Sequence, residues 1–106
     1  MVITEKNIEY SKAPRRVSIL GATGSVGRNT LDLISRQHNA YKVVALTAQH
    51  NVELLAAQAR QFNAELAVIG DAAHHAALQE ALAGTGVAVA SGVEALCEAA
   101  ERPSDW

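Results

Sequence analysis

Three glycines at a fixed spacing, Gly21, Gly24 and Gly27, are the residues of this sequence that most directly indicate chemistry. They follow a short apolar run and open a stretch with helical spacing, which is the setting of a phosphate-binding turn. Gly21 permits a turn that a Cβ atom would obstruct. Gly24 lets the backbone approach a pyrophosphate, and Gly27 lets the helix pack closely on the strand. The helix N-terminus then offers unpaired N–H groups to the anion.

The side chains beside these glycines have two possible roles. Thr23 and Ser25 carry hydroxyl groups that can reach phosphate oxygens, and the same hydroxyls can cap the following helix. Three glycines at this spacing also occur in tight turns that bind nothing. The strand before them and the helix after them favour a nucleotide-binding turn.

A second set of candidate residues stands at the end of the next predicted strand. An NAD site usually carries Asp or Glu there, about 20 residues past the glycines, to bind the ribose 2′-hydroxyl. Residues 43–52 contain no acid, and Gln49, His50 and Asn51 can donate hydrogen bonds to a 2′-phosphate. This composition favours NADP over NAD, although the segment also contains no Arg or Lys.

The histidine and cysteine residues form no recognisable catalytic or metal-binding pattern in the sequence. His74 and His75 are adjacent, so on a helix their side chains point about 100° apart, and a solvent-facing pair is expected. No third ligand stands near them at a useful spacing in the sequence. Cys97, in an alanine-rich helical stretch, is expected to be a buried or half-buried small hydrophobe. We therefore assign no catalytic residue and no metal ligand.

Strands and helices alternate along the chain in the order β-α-β-α-β-α-β-α. This order predicts an α/β fold, a Rossmann-like parallel sheet with right-handed crossovers. The sheet is expected to be incomplete at its C-terminal end, because the sequence contains no predicted strand that would pair with the other edge of the first strand. The predicted elements are strands at Val17–Leu20, Tyr41–Ala48, Glu65–Ile69 and Val87–Ala90, and helices at Arg28–Gln37, from Val52 to Phe62, from Asp71 to Gly84, and from Ser91 to about Ala100.

Local patterns predict details of these helices. The first helix is expected to turn one face to the sheet, Val26, Thr30, Leu33 and Ile34. Asn51 is expected to cap the second helix. Ser91 and Glu94 have the Ser-x-x-Glu spacing of a capping box at the fourth helix.

Composition limits the class of protein. The chain has 106 residues, 49% of them apolar, which suits one domain, and its net charge of −2 argues against nucleic acid as the main partner. Residues 1–15 mix charges without an apolar core, so a flexible tail is expected there, and the domain is expected to span residues 16–106. No apolar run approaches the length of a membrane span. A single cysteine fits a reducing compartment, and a cytoplasmic location is expected.

The sequence resembles the N-terminal part of the 1-deoxy-D-xylulose 5-phosphate reductoisomerases. The resemblance lies in the Val17–Gly27 turn, in Thr30-Leu31-Asp32 after it, and in the strand Val43–Ala48 followed by Asn51-Val52. It extends over nearly the whole chain from Val17, and Asp105-Trp106 resembles the lead-in to the family's next strand.

The resemblance implies a function. Enzymes of this family convert 1-deoxy-D-xylulose 5-phosphate to 2-C-methyl-D-erythritol 4-phosphate with NADPH and Mg or Mn, in the non-mevalonate isoprenoid pathway, and are typically homodimers. It also implies that the family's metal, substrate and catalytic residues lie beyond Trp106, so the chain is expected to be truncated and inactive alone. The implied cofactor residues are those matching the pyrophosphate and 2′-phosphate positions, Thr23, Gly24, Ser25, Val26, Ala48, Gln49, His50 and Asn51.

Two other functions remain open from the sequence. Semialdehyde dehydrogenases and acyl-phosphate reductases also open with a Gly-Ala-Thr-Gly-x-Val-Gly turn, so the chain could be the first part of one of them. A free-standing domain that binds a nucleotide and signals to a partner is the second alternative.

Overall fold

The structure is a computed structural model, and it describes residues 14–37 and 39–102. Residues 1–13 of the predicted tail, which was expected over residues 1–15, and the Asp105-Trp106 motif lie outside this range. The end of the tail was predicted wrongly, because Arg15 is the first residue of the first strand. The described strands are β1 (Arg15–Ile19), β2 (Tyr41–Ala48), β3 (Leu66–Ile69) and β4 (Ala88–Ser91). The helices are α1 (Ser25–Ser35), α2 (Val52–Phe62), α3 (His75–Ala81) and α4 (Val93–Glu101), with a 3-10 turn at Ala72–His74.

The four strands form one parallel sheet in the order β1-β2-β3-β4. The predicted alternation of strands and helices in a Rossmann-like sheet is confirmed. Within the described residues β1 pairs with β2 alone, so β1 is an edge strand of this sheet, as the sequence predicted. Because all four strands run the same way, the loops that follow them meet at one edge of the sheet.

The two central strands of the sheet, β2 and β3, are buried on both faces. One apolar cluster joins β2 to α1, α2 and α3, with Leu46, Leu55 and Leu78 at its centre. The other face of β2 and β3 packs against α4 through Val44, Val68 and Ala99 and their neighbours. Three successive right-handed crossovers in one direction place three helices on the same face, and α4 returns on the other.

The predicted inward face of α1 is confirmed for Ile34 and wrong for Val26 and Leu33. Leu31 and Ile34 are buried together with Gly27, whereas Val26 is 77% exposed and Leu33 is 64% exposed. The helix starts at Ser25, and its buried face is rotated by about one residue from the predicted one, because Gly27 and Leu31 face the core in place of Val26 and Thr30. Leu33 instead lines an apolar hollow of about 500 Å³ beside β1.

The predicted capping box at α4 is also wrong. β4 continues through Ser91, one residue further than predicted, and Gly92 with φ of +94° makes the turn into α4. Gly92 is the N-cap and offers no side-chain hydrogen bond. The Ser91 hydroxyl lies 2.8 Å from Nδ1 of His75 instead, because the strand conformation directs that side chain toward α3.

Cys97 is exposed, which corrects the expected buried position. α4 turns Ala95, Leu96 and Ala99 to the sheet, and Cys97 falls outside this stripe. Other local predictions are confirmed. β2 has the predicted bounds, and Asn51 Oδ1 accepts a hydrogen bond from Leu54 N at 3.1 Å as the α2 cap.

An ion pair links the N-terminal end of β1 to the residue that precedes β3. The Arg16 guanidinium donates two hydrogen bonds of 3.1 Å to the Glu65 carboxylate. The Arg16 hydrogen bonds are the main cause that holds the pKa of Glu65 below its ordinary value, outweighing the opposing effect of burial. The charged form of Glu65 therefore favours the folded state.

The Glu65→Gln variant is expected to lose up to about 1 kcal/mol of unfolding free energy at neutral pH, the range of partly exposed pairs. A lowered folded-state pKa gives stability that is present above the unfolded pKa and is lost as the pH falls through the folded one. The difference in unfolding free energy between the variant and the parent should therefore shrink at acidic pH, as measured by urea unfolding at several pH values. A difference that stays constant down to the lowest pH would contradict this account. Asp32→Asn, which removes the more exposed Arg36–Asp32 pair, is the matched control and should cost less.

Candidate nucleotide-binding site

The glycine turn is held in place by the neighbouring strand. Gly21 has φ of +71°, the left-handed region that favours glycine. Its N–H donates to Thr47 Oγ1 at 3.0 Å, and the Ala22 N–H donates to the Thr47 carbonyl at 2.7 Å. Thr47 is buried, so these bonds are shielded from water. They fix the turn beside the carboxyl end of β2.

Thr47 is thus the residue that supports the turn, and sequence reasoning did not single it out. Thr47→Val keeps the shape and removes the acceptor for Gly21 N, so we expect a loss of about 1–3 kcal/mol of unfolding free energy. Thr30→Val is the control, because Thr30 Oγ1 donates only within its own helix, to the Val26 carbonyl. Equal costs for the two variants in urea unfolding would show that the Thr47 hydroxyl does not anchor the turn.

The second and third glycines of the motif have different surroundings. A Cβ atom at Gly27 would lie 2.3 Å from the Gly21 carbonyl oxygen and 2.7 Å from Ala22 Cα. Gly27 is therefore required by the packing of α1 on the turn. A Cβ atom at Gly24 would meet only the Gly21 oxygen, at an ordinary 3.5 Å. The described residues of the chain leave the space above Gly24 open.

The helix α1 begins directly after Gly24. Gly24 is the N-cap, and within residues 14–37 and 39–102 no side-chain hydrogen bond caps this end of the helix. The alternative capping role of Thr23 and Ser25 is therefore not seen. These N–H groups and the open backbone at Gly24 form the kind of cradle that suits a phosphate group. Ser25 and Val26 are exposed there, and Thr23 is half-buried.

A buried glutamine supports the turn from below. Gln58 of α2 is only 6% exposed, and its Nε2 donates to the Ala22 carbonyl at 2.8 Å. The sequence held a signal for this role, since Gln58 is a polar residue between the apolar positions Leu55 and Ala59. The turn is thus tied to both β2 and α2.

The loop after β2 carries the second set of predicted residues. Ala48 is buried at the strand end, and Gln49 and His50 are exposed. Asn51 uses Oδ1 as the α2 cap, which leaves its Nδ2 free to donate elsewhere. Because β1 and β2 are parallel neighbours, this loop and the glycine turn lie at the same edge of the sheet.

The loop after β3 lies beside the β2 loop. Gly70 N donates to the Ala48 carbonyl at 2.7 Å, and Asp71 N donates to the Gln49 carbonyl at 3.0 Å. A Cβ atom at Gly70 would lie 2.4 Å from Gln49 Oε1, so Gly70 makes room for the Gln49 side chain. The structure thereby adds Gly70 and Asp71 to the surroundings of the predicted residues.

Two histidines converge on Asp71. His50 Nδ1 lies 3.5 Å from Asp71 Oδ2, and His74 Nε2 lies 3.7 Å from the same oxygen. The sequence offered no third ligand for His74, and the sheet brings two potential partners to it. His75 points elsewhere and is half-buried against Ser91, so the two adjacent histidines are not a solvent-facing pair.

Comparison with known proteins identifies the family. The family model for 1-deoxy-D-xylulose 5-phosphate reductoisomerase matches residues 17–106, which is most of the chain. The chain belongs to the 1-deoxy-D-xylulose 5-phosphate reductoisomerase family. This membership favours the resemblance drawn from the glycine turn over the semialdehyde dehydrogenase and nucleotide-sensor alternatives.

Individual reductoisomerases are similar to the chain over nearly its whole length. The reductoisomerase of Rhodospirillum centenum is 54% identical over 104 residues, covering 98% of this chain and 26% of that protein. The Zymomonas mobilis reductoisomerase is 53% identical over 93 residues, covering 88% of this chain and 24% of that protein. The chain therefore spans about a quarter of the length of the curated relatives it matches.

Solved reductoisomerase structures have the same fold. The Zymomonas mobilis reductoisomerase in complex with NADPH is 52% identical, with a TM-score of 0.88 over 89% of this chain and 25% of that chain. A reductoisomerase in complex with NADPH, fosmidomycin and magnesium is 34% identical, with a TM-score of 0.78 over 83% of this chain and 22% of that chain.

Within residues 14–37 and 39–102, no helix is long and apolar enough to cross a membrane.

Proposed function

We propose that this chain is the NADPH-binding N-terminal part of a reductoisomerase that converts 1-deoxy-D-xylulose 5-phosphate to 2-C-methyl-D-erythritol 4-phosphate. The single observation that carries the proposal is the family match over residues 17–106, which includes the whole glycine turn. A solved reductoisomerase that is 52% identical to this chain is in complex with NADPH, which supports NADPH as the cofactor. In a protein of the relatives' length, the reaction would combine this part with the remaining three quarters.

The described residues fit NADPH. The uncapped α1 N-terminus and the open space above Gly24 suit the pyrophosphate, with Thr23, Ser25 and Val26 around it. The loop of Ala48, Gln49, His50 and Asn51 lies at the same sheet edge and carries amide and imidazole donors for a 2′-phosphate. When bound, NADPH supplies the hydride for the reduction. This chain's own residues bind and orient its adenosine end.

The remaining family properties are part of the same proposal. A divalent Mg or Mn ion, a sugar phosphate substrate and a homodimer are proposed for the longer protein, with no ligands for that ion assigned in residues 1–106. Solved reductoisomerases in complex with magnesium support the metal. A cytoplasmic location, with no nucleic-acid or membrane partner, is proposed from the charge and the single cysteine.

Calorimetric titration of the chain with NADPH and with NADH tests the binding role. We expect weak binding of NADPH, above the low-micromolar range, and weaker binding of NADH, since no carboxylate stands at the end of β2 for the 2′-hydroxyl. Absence of any NADPH binding, or a preference for NADH, would overturn the proposed cofactor.

A turnover assay tests whether catalysis requires the rest of the longer protein. The 106-residue chain is expected to oxidise no NADPH in the presence of 1-deoxy-D-xylulose 5-phosphate and Mn²⁺, because no catalytic residue was recognised in it. The same chain joined to the C-terminal part of a relative should be active. Turnover by the chain alone would contradict the assignment of catalysis to the rest of the protein.

A further inference from the structure

The cluster of His50, Asp71 and His74 has the donor set and spacing of a metal site. One imidazole nitrogen from each histidine and one carboxylate oxygen lie within 4.8 Å of one another. Two nitrogens and one oxygen are the ligands of many Zn²⁺ sites with three protein ligands, in which a water molecule completes the coordination. Imidazole nitrogen also suits Co²⁺, Ni²⁺ and Cu²⁺.

The two distances from the Asp71 carboxylate to the histidine nitrogens are close to those of such a site. Two ligands bound tetrahedrally at about 2.1 Å from one ion are roughly 3.4 Å apart. The Asp71 oxygen lies 3.5 Å from His50 Nδ1 and 3.7 Å from His74 Nε2, each too long for a good hydrogen bond and close to the ligand spacing. The His50 side chain is 69% exposed, so it is free to rotate toward the other two.

The backbone positions these donors before any ion binds. Asp71 Oδ1 accepts a hydrogen bond from Ala73 N at 3.0 Å, which orients the carboxylate and leaves Oδ2 facing the histidines. The Asp71 N–H bond to the Gln49 carbonyl holds the β3 loop against the β2 loop. His74 ends the 3-10 turn that Asp71 caps, so it returns over the same carboxylate.

We propose that His50 Nδ1, Asp71 Oδ2 and His74 Nε2 bind one divalent transition-metal ion, with Zn²⁺ as the expected ion and water in the open position. This proposal rests on the described side chains alone and not on the proposed function. A cation balances the Asp71 carboxylate and uses the nitrogen lone pairs of both imidazoles at once.

Titration with Zn²⁺ alone, without nucleotide, tests the site. The titration uses the chain without an affinity tag and with Cys97→Ser, because an exposed cysteine thiolate can itself bind Zn²⁺. We expect one Zn²⁺ per chain by calorimetry, and the visible absorption of tetrahedral Co²⁺ when Co²⁺ replaces it. His74→Ala and Asp71→Asn should each weaken binding at least tenfold. Asparagine keeps the cap oxygen at position 71, so Asp71→Asn should remain folded.

His75→Ala is the matched control. His75 is adjacent to His74, but its Nδ1 faces Ser91, 2.8 Å from the hydroxyl, so the variant should bind Zn²⁺ as the parent does. Circular dichroism checks that each variant is folded. No Zn²⁺ binding by the parent, or unchanged binding in the folded His74→Ala and Asp71→Asn variants, would overturn the proposal. So would equal loss in His75→Ala, because scattered surface histidines would then explain the binding. Since no nucleotide is present, failure here leaves the NADPH titration as a separate result.

Discussion

Replacing Gly27 with alanine should lower the free energy of unfolding by about 1–3 kcal/mol or more, the usual cost of forcing a methyl group into a packed site. The new Cβ would lie 2.3 Å from the Gly21 oxygen and 2.7 and 2.9 Å from Ala22 Cα and C. All three are backbone atoms, so no side-chain rotation relieves the clash. Either α1 or the turn has to shift, and the turn is held by hydrogen bonds to Thr47 and Gln58.

The sign of this effect distinguishes packing from helix propensity. In an exposed helix position, Gly→Ala stabilises by about 1 kcal/mol, so the clash must overcome that gain. Asn29→Ala, on the exposed side of α1, is the control and should be neutral or stabilising. Urea unfolding measures both variants. A Gly27→Ala variant as stable as the parent would mean that α1 does not press on the turn.

Replacing Gly24 with alanine should change the free energy of unfolding little and lower the affinity for NADPH strongly. The chain accommodates a Cβ atom there at 3.5 Å, and Gly24 has φ of −77° and ψ of 172°, which alanine adopts freely. The cost in unfolding free energy should stay below about 1 kcal/mol, as for an N-cap change from glycine. Affinity for NADPH should fall at least tenfold, because the methyl group would occupy the space proposed for the pyrophosphate.

This second prediction is measured by NADPH titration of the folded variant. Gly84→Asn is a control for glycine loss away from the site, since Gly84 has φ of +81° in the turn after α3 and open space around it. Asparagine tolerates that conformation, so both stability and NADPH affinity should change little. Unaltered affinity in Gly24→Ala would show that the pyrophosphate does not lie against this residue.

The sequence predicts the fold and the glycine turn well because both are local or periodic. β2 begins and ends where its run of Val and Ala residues predicts, and Asn51 caps the helix that follows. The turn needs a positive φ at Gly21 and close packing at Gly27, and both requirements can be read from residue type and spacing.

Other features depend on tertiary position and could not be read in this way. Val26 and Leu33 look like core residues of a helix, but α1 lies over an edge strand and leaves both exposed. Ser91 looks like a helix cap, but one more strand pair with Ile69 places it in β4. Sequence patterns do not define the end of a strand to within one residue.

The His50–Asp71–His74 cluster was missed for a different reason. These residues are separated in sequence, and only the parallel order of β2 and β3 places the two loops together. The signal existed, because the carboxyl ends of neighbouring parallel strands always share an edge. Asking which reactive residues follow each strand would have paired His50 with Asp71.

The central claim, that the glycine turn and the β2 loop together hold the dinucleotide, is tested most directly by NMR. The ¹⁵N-labelled chain is titrated with NADPH, and backbone amide shifts are followed, a method suited to weak binding. The account predicts saturable shifts in residues 22–27 and 48–51, with the amides of α4 on the opposite face of the sheet unchanged. No shift in either loop at saturating NADPH, or shifts confined to α4, would contradict it.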